Sequence, residues 1–189
     1  IRDFCLSRGL GEVYKRQLLA VGGPLDRKIG GSLLQVKNRA YFFDHTSRDN
    51  TGYDTGRRSV YLPVVRNHLY DMFDLFDSTD ASVTNGDRAT TTVAPQALFM
   101  LNGDLVLKSA RALAAGLLDR RELDDAGRVA VLYERAYGRP PSADESRRGA
   151  AYLERLQRVL EGKGQFTCLD AWQALCQVVL ASNEFLTIR

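Results

Sequence analysis

Histidine is scarce in this chain: only His45 and His68 occur in 189 residues. Neither has a second histidine or a cysteine at ligand spacing, which argues against a classical zinc site. A serine or cysteine triad would have to draw its base from these two. His45 lies in a polar stretch near Asp44 and Ser47, and His68 adjoins an apolar stripe, so both read as surface or structural residues. Cysteine is equally sparse. Cys5, Cys168 and Cys176 are an odd number and cannot form a closed disulfide set. On one helix Cys168 and Cys176 would stand about 12 Å apart along the axis, too far to bridge. No C-x-x-C motif occurs, so neither a zinc knuckle nor covalent haem attachment is indicated.

Other absences narrow the class further. No run approaches the ~20 apolar residues that span a bilayer, and no signal peptide is visible. The charge is nearly balanced, 26 basic against 23 acidic residues, a net of +3. That is too mild for a nucleic-acid groove or an anionic-membrane surface. The Gly-Gly pairs at 22–23 and 30–31 make neither G-x-G-x-x-G nor a Walker loop, so nucleotide binding has no motif. Asp44, Asp49, Asn50, Gly52 and Asp54 offer hard oxygen ligands, but their spacing is not that of a twelve-residue calcium loop and the closing Glu is missing. No metal is expected.

What is present is the composition of an ordinary globular domain, 44% hydrophobic and 26% charged. Helical periodicity dominates after Arg66. Leu69, Met72, Phe73 and Phe76 fall at i, i+3, i+4 and i+7. A helix is expected from about Thr92, with Pro95 in its first turn and Ala94, Leu98 and Leu101 as apolar positions, interrupted at Asn102-Gly103. Another runs from about Asp104 to Leu118 with Leu105, Ala112 and Leu113. Val129, Leu132, Tyr133 and Ala136 form a stripe that stops at Gly138, before Pro140-Pro141. Ser142 to Glu145 reads as a capping box opening a helix with Leu153, Leu156 and Leu160 inward. A last helix, from about Leu169, buries Trp172, Leu175, Cys176, Val179 and Leu180. Residues 36–58 and 77–92 read as polar loops. Between them SVYLPVV (59–65) is β-branched, and Pro63 limits it to an extended segment. The fold class expected is mainly α: a multi-helix orthogonal bundle with long polar loops and one short extended segment near 59–65.

Arginines flank that segment. Arg57, Arg58 and Arg66 border it, and Arg88 precedes the helix start at Thr92. A guanidinium donates five hydrogen bonds in a rigid fork, so these residues suit either loop-tying to carbonyls or an anionic ligand. Gln96 and Asn102 on the following helix could complete a polar network. Asp71, Asp74 and Asp77 recur on one helix, on the polar side of its stripe, and read as a solvated face rather than a general acid/base pair.

Four ordered stretches resemble the domain-of-unknown-function family 1553: RRSVYLPVVRN, DRATTTVAPQALFMLN, LYERAYGRPPSADE and WQALCQVVLASNEFL. The resemblance covers about residues 18–189. It implies a planctomycete-type domain at the C-terminus of large exported proteins, extracytoplasmic, with a second domain of unknown function and often a cytochrome-c-like haem domain upstream. Haem would belong to that upstream region, and none is expected in this chain. The expected partners are upstream domains of the parent protein, with no nucleic acid and no membrane insertion. The family supplies no catalytic residue. Arg58, Tyr61, Arg66, Arg88, Gln96 and Asn102 match its motifs by position and form a candidate polar or anion-binding set. Ile1-Arg2-Asp3 and Leu18-Leu19-Ala20-Val21-Gly22 look like two halves of one family helix, which makes residues 4–17 read as a foreign or disordered interruption. The function expected is a non-catalytic structural or interaction module in a fragment of a longer protein. The alternative is part of an enzyme acting on carbohydrate or another polymer, its site completed upstream.

Overall fold

The computed structural model describes residues 10–31, 33, 53–62, 70–76, 94–161 and 167–186. Eight α-helices occur among them: α1 (Leu10–Gly22), α2 (Asp71–Leu75), α3 (Ala94–Asn102), α4 (Asp104–Leu118), α5 (Asp125–Tyr137), α6 (Ala143–Glu161), α7 (Cys168–Leu180) and α8 (Asn183–Leu186). The only other regular features described are a 3-10 turn at Ser59–Tyr61 and one isolated parallel bridge between Asp26 and Arg57. The mainly helical class and the bundle are as the periodicity predicts. Within the 59–65 segment, expected to be extended, Ser59–Tyr61 instead form the 3-10 turn and Leu62 is extended. Residues 63–65 lie outside the described residues.

The chain forms two compact units, residues 1–17 with 25–96, and residues 18–24 with 97–189. In the first, Tyr53, Leu62 and Phe73 make a buried cluster against which Leu33 and Tyr70 pack. Tyr14 of α1 meets Phe76 edge-on, with ring centroids 4.9 Å apart. Gly11 permits the close approach of α1 to α2. A Cβ there would stand 2.7 Å from the Met72 carbonyl oxygen. Residues 10–17, read from sequence as part of an interruption, thus run helically and without a break into Leu18, with Tyr14 and Lys15 buried. Phe4 lies outside the described residues.

In the second unit α7 is the central helix. Ala171, Trp172, Leu175, Cys176, Val179 and Leu180 are buried along it at helical spacing. Its most extensive partner is α4, and α5, α6 and α8 also pack on it. The buried stripe of α4 is Val106, Ala110, Leu113 and Leu117. The sequence reading was off by part of a turn here, because Leu105 is only half-buried and Ala112 is exposed. The apolar positions expected for α3 fare likewise: Leu98 and Leu101 face outward and Met100 is the buried residue. Of the other expected residues, Val129, Leu132 and Ala136 of α5 and Leu153 of α6 are buried, Tyr133 and Leu156 are half-buried, and the Leu160 side chain lies outside the described residues. Gly138 ends α5 in the left-handed conformation (φ 70°). The Ser142–Glu145 capping box is formed, with Ser142 N–H donating to Glu145 Oε2 at 2.7 Å and Glu145 N–H to Ser142 Oγ at 3.2 Å.

Candidate functional site

The arginine-bearing connector of the first unit begins with Arg57, whose side chain is buried. Its Nη2 donates to the Gly30 carbonyl and its Nε lies 3.6 Å from Asp26 Oδ2. The guanidinium carbon also sits 4.8 Å from the centroid of the Tyr61 ring. Arg58 stands over the same ring at 5.2 Å and donates from Nη2 to the Tyr61 hydroxyl at 3.1 Å. The 3-10 turn makes this meeting possible. Tyr61 N–H bonds the Arg58 carbonyl at 3.0 Å, folding the phenol back toward both arginines.

Behind this turn lies a buried amine. Lys15 of α1 donates to the Arg57 carbonyl at 3.3 Å and faces the Tyr70 ring at 5.7 Å. Burial lowers its pKa to about 8, with Asp54 acting in the opposite sense. Burial, with Asp54 and Asp71 nearby, pushes the Tyr70 phenol up to about 12. Tyr70 stacks on Tyr53 at 5.1 Å. The sequence reading missed Lys15 and Tyr70. A lysine carries no signal of burial until the helix that holds it is placed.

The remaining candidates separate. Gln96 donates from Nε2 to the Leu75 carbonyl at 2.8 Å, tying the start of α3 to the end of α2 within the first unit. Asn102, in the second unit, donates back to the Leu98 carbonyl at 3.2 Å, one turn earlier in its own helix. Of the six candidates the structure brings Arg58 and Tyr61 together. Arg66 and Arg88 lie outside the described residues, as do both histidines, Cys5, Asp77, and Asp44, Asp49, Asn50 and Gly52 of the oxygen-rich loop. Asp71 and Asp74 are exposed. Among the described residues no group of three His, Cys, Asp or Glu side chains could hold a metal. Cys176 is buried, and burial pushes its thiol up to about 12, an unreactive state; Cys168 is exposed and unbridged.

The second unit carries a denser polar constellation, built from the last two motifs. Arg139, just after α5, donates to Glu145 from Nη1 and Nη2 at 2.9 and 2.8 Å. It also donates to Glu184 from Nε and Nη2, both at 2.7 Å. The Tyr133 and Tyr137 rings lie 5.7 and 5.5 Å from its guanidinium carbon. Tyr137 donates its hydroxyl to the Val179 carbonyl at 3.2 Å and lies 2.8 Å from Ser182 Oγ. The bidentate Arg139 bonds and the Ser142 N–H hold the Glu145 carboxyl down near 2. This clasp ties the α5–α6 turn to α8. Its signal in the sequence is the placement of Arg139 and Glu145 in YGRPPSADE and of Glu184 in SNEFL.

The chain belongs to the family described as protein of unknown function DUF1553, whose model matches residues 7–153. That stretch takes in the arginine connector, Gln96 and the Arg139–Glu145 half of the clasp. No curated protein and no solved structure matches the chain. Among the described residues no helix is long and apolar enough to cross a membrane.

Proposed function

We propose that this chain is a non-catalytic structural or interaction module at the C-terminus of an exported, planctomycete-type multidomain protein. The observation that carries the reading is where the candidate donors go. Arg58 bonds Tyr61, Gln96 bonds the Leu75 carbonyl and Asn102 bonds the Leu98 carbonyl. Side chains committed to internal acceptors fix connectors in place and are not aimed at a substrate. Arg139 serves the same end with two carboxylates. The module acts outside the cytoplasm, packs against upstream domains of its parent, and has no cofactor of its own. Haem, where the parent carries it, belongs to an upstream domain.

The test compares this chain with its full-length parent. Both are assayed for turnover of a panel of polysaccharides, and hydrogen exchange is mapped on each. The reading expects no turnover by the chain alone and added protection on its surface within the parent. Turnover by the isolated chain that disappears with Asp71→Asn or His68→Ala overturns it.

A further inference from the structure

Asn102 and Gly103 stand at the corner between α3 and α4, as the last residue of one helix and the N-cap of the next. The glycine is required there for space. Its φ and ψ, −66° and 132°, are open to any residue. A Cβ at this position, however, would stand 2.7 Å from the Phe99 carbonyl oxygen and 3.1 Å from the Phe99 ring. The same missing Cβ creates a chemical liability. An asparagine carboxamide is electrophilic at Cγ, and a glycine that follows leaves the next backbone nitrogen unhindered for attack on it.

In the folded chain both reacting groups are engaged. Gly103 N–H donates to the Phe99 carbonyl at 2.6 Å, closing the last turn of α3. Asn102 Nδ2 donates to the Leu98 carbonyl at 3.2 Å. One residue earlier, the Leu101 carbonyl accepts from Gln177 Nε2 of α7, which pins the same turn to the central helix of the unit. Leu98, Leu101 and Asn102 are exposed. A terminal helical turn with exposed side chains is the kind of element that opens locally, without global unfolding.

We propose that Asn102-Gly103 is a latent self-modification site, closed in the folded chain, at which opening of the last turn of α3 lets the Gly103 nitrogen attack the Asn102 carboxamide. The bond from that nitrogen to Cγ forms, the Cγ–Nδ2 bond breaks, and ammonia leaves with the proton lost from the nitrogen. Water then opens the resulting succinimide at either carbonyl, giving aspartate or isoaspartate. Isoaspartate carries the main chain through the former side chain and lengthens it by a methylene, so the helical bond to Phe99 does not re-form in register. Conversion at position 102 is thus a one-way unlatching of the α3–α4 corner, and its extent records how often that corner has opened.

The test incubates the full 189-residue chain at mildly alkaline pH, folded and in guanidinium chloride, and follows conversion at Asn102 by peptide mapping with mass detection. Asn85-Gly86, the other Asn-Gly pair of the sequence, is the reference for the unfolded chain. In denaturant Asn102 is expected to convert at a rate comparable with Asn85. In the folded chain its conversion is expected to be at least about tenfold slower, the retardation that a closed turn imposes. Gln177→Ala is expected to speed the folded-state rate severalfold and to leave the rate in denaturant unchanged. Gly138→Ala, which acts on global stability from the end of α5, is expected to leave the folded-state rate at Asn102 unaltered. Equal rates folded and unfolded, no conversion in denaturant, or a Gln177→Ala rate no faster than that of the unsubstituted chain overturns the proposal. Acceleration by Gly138→Ala equal to that by Gln177→Ala also overturns it, since the gate would then be global unfolding.

Discussion

Arg139 and Glu184, forty-five residues apart in sequence, meet through two parallel hydrogen bonds, Nε to Oε1 and Nη2 to Oε2, each 2.7 Å long. The geometry uses the planar side edge of the guanidinium, which an ammonium cannot reproduce. The end of the same group serves Glu145. Arg139→Lys is therefore expected to lower the thermal midpoint although the charge is kept. In a double-mutant cycle with Glu184→Gln, measured by urea unfolding, the two effects are expected to be non-additive. Simple additivity would show that Arg139 and Glu184 do not couple.

The clasp also sets a response to acid. Glu145 has its folded-state pKa depressed from its ordinary value of 4.5 to about 2, first by its hydrogen bonds from Arg139. A depressed carboxylate contributes stability that is present above the ordinary value and lost as pH falls toward the folded one. Unfolding midpoints are expected to drop between pH 4.5 and 2, and Glu145→Gln should flatten the slope in that window.

Lys15 and Tyr70 set the opposite limit. Lys15 is lowered from 10.5 to about 8, so the unfolded chain holds its proton more tightly, and stability rises with pH across that interval. Tyr70 is raised from 10.0 to about 12, so the folded chain holds the phenolic proton more tightly, and stability falls with pH across that later interval. Urea midpoints taken from pH 7 to 11 should pass through a maximum near pH 10. Lys15→Met is expected to remove the rising limb and leave the falling one.

Two glycines separate two kinds of constraint. Gly138 occupies the left-handed C-terminal position of α5, with nothing near the place of a Cβ. Gly138→Ala is expected to cost about 1 kcal/mol, a backbone effect alone. Gly22 has ordinary φ, but a Cβ there would stand 2.9 Å from the Ser109 carbonyl oxygen, against the backbone of α4. Gly22→Ala therefore requires α1 and α4 to part, and its destabilisation should exceed that of Gly138→Ala. Chemical denaturation of the two variants compares them directly.

Much of the fold was legible in the sequence because periodicity and capping are local. The Ser142–Glu145 box, the stop at Gly138 and the buried faces of α5 and α7 could all be read from residues within one turn of each other. The faces of α3 and α4 were not, since Leu98, Leu101 and Ala112 match a helical period equally well when turned outward. Which side of an apolar-rich helix is covered depends on its neighbour, and α7 lies sixty residues or more downstream of α4's start. The candidate site was legible in part. Arg58 and Tyr61 are three residues apart, so their pairing is local. The burial of Arg57 rests on Gly30, twenty-seven residues away, and that of Lys15 on a partner forty-two residues away. No short window contains such pairings.

The place of α7 bears on how the polypeptide is made. Translation delivers α4 well before Trp172, Leu175 and Val179 leave the ribosome, so the oily stripe of Val106, Leu113 and Leu117 waits uncovered through some fifty residues of synthesis. A nascent chain arrested at residue 153, the far edge of the family match, would hold that stripe bare and Arg139 without Glu184. Chaperone recruitment and proteolytic clearance of such arrested products are the cellular corollaries of a core whose final piece arrives last.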